Sequence, residues 1–115
     1  MQKKHHMRLN DEPFQLIQKG RKTIELRLYD EKRKEISVGD EIEFVHIQNG
    51  QTFSCIVKRL HLFTSFEELY KKLPLLQCGY TEKNVATASY KDMEKYYAKE
   101  EQQRCGVVGI EIELL

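Results

Sequence analysis

Lys22, Glu25 and Arg27 lie within a six-residue stretch of the chain, and each could do different chemistry. The guanidinium of Arg27 is a planar fork suited to a phosphate or to the acceptor edge of a nucleobase. The carboxylate of Glu25 accepts from an exocyclic amino group such as that of cytosine. Lys22 supplies a point charge for a phosphate, or a nucleophile or proton shuttle if desolvation strips its proton near neutral pH. In a hydrolase, Lys22 would be the reactive amine, Glu25 the acid/base and Arg27 the stabiliser of negative charge. A plainer role stands beside these: Glu25 and Arg27 pair with each other and fix one strand against the helices.

The element that must hold them is legible. Thr23-Ile24-Glu25-Leu26-Arg27-Leu28-Tyr29 alternates strictly, with Ile24, Leu26 and Leu28 on one face and Thr23, Glu25, Arg27 and Tyr29 on the other, which is the pattern of a strand. Tyr29 shares the charged face, where it can stack on an unpaired base or pack against a helix. Upstream, His6 to Leu9 alternates as a short first strand. Asn10 and Asp11 then offer capping oxygens, Pro13 suits a first helical turn, Phe14 and Ile17 share a face, and Gly20 ends the helix.

Downstream, the charged run from Asp30 to Glu35 leads to a turn at Val38-Gly39-Asp40. Ile42, Phe44 and later Phe53, Cys55 and Val57 alternate on either side of Asn49-Gly50, which predicts a hairpin with a two-residue turn and a return strand reaching about Phe63. Ser65 and Glu68 form a capping box for a helix that carries Phe66, Leu69, Tyr70 and Leu73 and stops at Pro74. A further helix is expected from about Ser89, with Met93, Tyr96 and Tyr97 inward. Ile110 to Leu114 alternates as a closing strand. The order β, α, β, β, β, α, α, β predicts an α+β protein: a small, partly closed mixed barrel with helices across one opening. Its core is expected from Ile24, Leu26, Leu28, Phe44, Ile110 and Ile112.

The chain has 115 residues, 40% hydrophobic and 32% charged, enough for one core and too apolar for a disordered tail, so a single domain over residues 1–115 is expected. No apolar run is long enough to span a membrane and no signal core follows the N-terminus, which points to a cytoplasmic protein without membrane contact. Cys55, Cys78 and Cys105 are odd in number and lack a C-x-x-C pair, so neither a disulfide framework nor a zinc knuckle is expected, and Cys105 reads as a buried structural thiol. His5, His6, His46 and His61 are dispersed, and no metal or cofactor is expected. Walker, dinucleotide and H-E-x-x-H motifs are missing. The net charge of +1 conceals an asymmetry, +5 over residues 1–34 and −4 over residues 35–115. The basic third is therefore expected to border a binding face, with the acids of the C-terminal part away from it. Arg21, Lys32, Arg33 and Lys34 read as a solvated face.

Gly20-Arg21-Lys22-Thr23-Ile24-Glu25-Leu26-Arg27 fits G-x-K-x-x-E-x-R at every specified position and resembles the signature of the activating-signal-cointegrator homology (ASCH) domain family. The upstream short helix, Leu28-Tyr29-Asp30-Glu31-Lys32-Arg33, Val38-Gly39-Asp40 and Gly106 to Ile110 extend the resemblance over nearly the whole chain. It implies a barrel similar to the PUA fold and a cleft lined by the motif, with Gly20, Lys22, Thr23, Glu25, Arg27 and Tyr29 as ligand-binding residues. The implied ligand is RNA or a modified nucleoside. A similar branch hydrolyses the acetyl amide of N(4)-acetylcytidine; it shares the lysine at Lys22 and carries threonine at the position of Glu25. The alternatives are thus a hydrolase of an amide or a phosphodiester, with Lys22 and Glu25 catalytic, and a protein-interaction module acting through the acidic C-terminal part.

Overall fold

A computed structural model describes residues 2–115. The alternating segments form β1 (Lys4–Leu9), β2 (Ile24–Leu28), β3 (Glu41–His46), β4 (Thr52–Phe63) and β5 (Val107–Leu114). They join into a mixed five-stranded sheet in the order β1-β3-β4-β5-β2. β1 runs parallel to β3 and the other pairs are antiparallel. A register shift between Val57 and Arg59 on β4 bends the sheet beside β5. The result is a half-barrel, the α+β architecture expected from the pattern. Its two edge strands, β1 and β2, face each other across a seam. The Arg27 Nη2 group spans that seam and donates to the Arg8 carbonyl at 3.0 Å.

Helices α1 (Asp11–Gln18), α2 (Glu31–Lys34), α3 (Phe66–Lys72), α4 (Lys91–Glu94) and α5 (Lys99–Cys105) fill the connections. Ser65 caps α3 as its sequence requires, with Oγ accepting from the Glu68 amide at 3.2 Å. Several expectations need correction. Asn10 caps α1 without a side-chain bond. The charged run after Tyr29 is a helical turn, because Asp30 accepts from the Arg33 amide and guanidinium. The segment from Ser89 forms only the single turn α4, and Tyr96, at 68% exposure, does not turn inward. Cys105 is half-exposed at the end of α5. Asn49-Gly50 lies in a longer loop closed by the His46–Gln51 pairing. There the His46 Nδ1 accepts from the amides of Gln48 and Asn49, so its Nε2 carries the hydrogen bound to Asp11 at 2.9 Å.

All six expected core residues are buried, but they divide between two clusters. Phe44, Ile110 and Ile112 join Phe14, Ile17 and Ile42 inside the barrel. Ile24, Leu26 and Leu28 pack with Phe66, Leu69 and Val107 against the helices on the outer face. The division follows from register: Glu25 pairs with Ile110 and Arg27 with Val108, and directly opposed residues share a face. The charged face of β2 therefore turns into the barrel.

Candidate binding cleft

The motif begins with a backbone device. Gly20 has φ +76°, a left-handed conformation that glycine adopts at no steric cost. This closes α1, with the amides of Arg21 and Lys22 both donating to the Leu16 carbonyl. The turn delivers Lys22 to the head of β2. Its stem lies along Gly79, where an added Cβ would sit 3.4 Å from Cδ and 3.7 Å from Nζ, and where φ is +113°. Only glycine leaves this slot open without backbone strain.

Lys22, Glu25 and Arg27 meet as a triad. Lys22 Nζ lies 2.7 Å from Glu25 Oε1, and Arg27 Nε donates to Glu25 Oε2 at 2.8 Å. Both carboxylate oxygens are thereby engaged. The triad is largely removed from water, with Glu25 4% exposed. Burial alone would raise the Glu25 carboxyl, but the Lys22 ammonium and Arg27 guanidinium outweigh it and hold it below the usual carboxylate range. Burial also opposes the charge on Arg27, and Glu25 more than restores it. Glu25 stays ionised, so it serves poorly as a general acid and binds the two cations in place.

The triad forms one wall of a cleft of about 480 Å³ along the β1–β2 seam. Arg8 and Leu9 line it from β1, Pro13 and Leu16 from α1, and Tyr70, Tyr80, Asp92, Tyr96 and Tyr97 from the helical side. Tyr97 stacks on Phe66 with ring centroids 5.7 Å apart, and burial pushes its phenol up while Arg27 pulls it down. Tyr80 donates to Asp92 Oδ2 at 2.6 Å, which leaves its oxygen to accept from Tyr70 at 2.8 Å. Burial pushes Tyr70 up to about 12 and Tyr80 further still, so both phenols keep their protons. Cys78, also on the cleft, is pushed up to about 11 by burial and remains a thiol.

The structure brings Lys22, Glu25 and Arg27 to this cleft, and places the other residues expected from sequence elsewhere. Gly20 and Thr23 line a second cavity of about 370 Å³, which Lys22 also touches. Thr23 Oγ1 donates to Gln77 Oε1 at 3.3 Å. Tyr29 packs against the barrel core, with Lys34 Nζ 6.0 Å from its ring centroid. The expected separation of charge also fails, because the segment after Pro74 folds over the seam and brings Asp92 into the cleft beside Arg8, Lys22 and Arg27. Asp92, Tyr70 and Tyr80 were not recognisable as site residues, since ten or more positions separate the bonded pairs. Among the described residues no group of three or more His, Cys, Asp and Glu side chains could hold a metal ion, and no helix is long and apolar enough to cross a membrane.

The family model for the ASCH domain matches residues 7–115. The crystal structure of hypothetical protein PH0355 is 35% identical, with a TM-score of 0.80 over 97% of this chain and 99% of that one. The solution structure of protein PF0455 from Pyrococcus furiosus is 34% identical, with a TM-score of 0.75 over 97% of both chains. Protein EF3133 from Enterococcus faecalis V583, 15% identical, shares the fold at a TM-score of 0.60 over 100% of this chain and 82% of that one. No curated protein matches the chain.

Proposed function

The chain belongs to the ASCH domain family, and on that premise we propose that its cleft binds a nucleoside or a nucleotide of single-stranded RNA. The observation that carries this reading is the union of a buried cationic triad with tyrosine walls in one cleft of nucleoside size. Lys22 and Arg27 retain donors beyond those engaged by Glu25, suited to a phosphate or a carbonyl oxygen. Tyr96, on the rim, and Tyr97 offer faces on which any base can stack. Hydrolysis by Lys22 and Glu25 is the less favoured use of the same residues. Attack by the Lys22 amine would first require breaking a 2.7 Å contact to a buried carboxylate, and Glu25 has no oxygen free of a cation.

The test is calorimetric titration with nucleosides, nucleoside monophosphates and short single-stranded RNAs. Binding of RNA should weaken as salt rises, with a shallow slope because few phosphates are reached. Lys22→Arg keeps the charge but cannot supply a neutral amine. It should retain most binding, and any release of acetate from N(4)-acetylcytidine that this variant abolishes would establish the hydrolase instead. Failure of every nucleoside and RNA to bind would refute the proposal.

A further inference from the structure

Asp92 is the acceptor that Glu25 cannot be. Its Oδ2 takes the Tyr80 hydroxyl at 2.6 Å and the Ser89 amide at 3.3 Å. Tyr70 holds Tyr80 in turn at 2.8 Å. That chain orients the carboxylate, and among the described residues no donor reaches Oδ1. The cleft so gains a positioned anionic acceptor on its helical side, facing a sheet side whose charged donors are Arg8, Lys22 and Arg27. Glu12, also on the cleft, belongs to the exposed first turn of α1, and Lys95 is exposed at the rim.

We propose that Asp92 selects ligands whose base carries an exocyclic amino group over those with a keto oxygen at the same position. The inference rests on the nucleoside-binding reading and names what that site would discriminate. An amino group donates to Oδ1, whereas a keto oxygen presents lone pairs to a carboxylate that has no hydrogen to donate to them. The ring N–H of uracil or hypoxanthine offers no full substitute, because each lies beside a keto oxygen that the carboxylate repels. Tyr80 is a positioning residue for Asp92, and Tyr70 for Tyr80.

The experiment uses two matched pairs, adenosine with inosine and cytidine with uridine, each differing by the exchange of amino for keto. Titration of the wild type should show the amino member of at least one pair bound roughly tenfold or more tightly, the range of one good base-edge contact. Asp92→Asn keeps an oxygen for the Tyr80 hydroxyl and turns an N–H₂ toward the ligand, so it should erase or invert that preference. Tyr80→Phe should weaken the preference without inverting it, and thermal melting reports whether each variant is folded. Equal affinity within both pairs in the wild type overturns the proposal while leaving nucleoside binding intact, and so does a preference that a folded Asp92→Asn retains. If neither variant folds, the wild-type ratios still decide. Absence of binding by all four nucleosides, with RNA also silent, removes the underlying reading as well.

Discussion

Glu25→Gln changes one atom, and its cost can be worked from the geometry of the triad. At 2.7 Å and an effective dielectric near 20, each cation attracts the carboxylate by about 6 kcal/mol before desolvation is counted. Most of that offsets the cost of removing three charged groups from water, since the side chains of Lys22, Glu25 and Arg27 are only 11%, 5% and 14% exposed. A glutamine oxygen can accept from one cation, but its amide then points N–H groups at the other. Two like charges are left close together and poorly hydrated. The expected loss is about 3–5 kcal/mol, the usual consequence of breaking a buried pair from one side. In urea denaturation this moves the midpoint down by roughly 1–3 M at an unchanged slope. Adding Lys22→Met to Glu25→Gln removes the excess cation and should recover part of the loss. A Glu25→Gln variant within about 1 kcal/mol of wild type would refute the argument, since the triad would then be a solvated cluster with no fixed geometry to offer a ligand.

Leu26→Ala removes a buried side chain of the cluster that holds Phe66 and Leu69 and should cost about 2–5 kcal/mol by denaturation. Gly79→Ala forces a side chain into φ +113° against the Lys22 stem; a loss of about 1–3 kcal/mol together with weakened binding is expected from parallel melting and titration. Burial would raise the Asp40 carboxyl, yet His5 and the amides of Ser37 and Lys3 lower it from 3.8 to about 2. Its folded value being depressed, the stability it contributes is complete above 3.8 and drains as pH falls toward about 2. Asp40→Asn should flatten that part of an acid titration followed by circular dichroism.

The elements carrying a clear period were readable in advance, and those held by distant partners were not. β2 announces itself by seven alternating residues, and Ser65 with Glu68 marks the start of α3. Yet alternation cannot say that the polar face of β2 is also buried. That depends on Glu25 opposing Ile110, a pairing set by a strand more than eighty positions away. α5 was missed because only Gln102 of its residues is buried, so no apolar stripe marks it. Gln102 earns its burial through polar contacts, accepting from the Phe66 amide and donating to the Tyr97 carbonyl. The helical wall of the cleft was invisible for a related reason: Tyr70, Tyr80 and Asp92 become neighbours only when the segment after Pro74 crosses the seam.

That seam has a signature in amide hydrogen exchange. On β1 the odd-numbered residues bond to β3, as the Lys3 and Leu9 carbonyls show, and on β2 the odd-numbered ones bond to β5, as Thr23 and Tyr29 show. Alternation turns the amides of Arg8, Ile24 and Leu26 toward the gap instead. Exchange along both strands should therefore rise and fall with a period of two. A molecule seated in the cleft would slow the even-numbered amides and leave their neighbours nearly unchanged. Such a footprint records occupancy residue by residue, even for a ligand whose identity is not known beforehand.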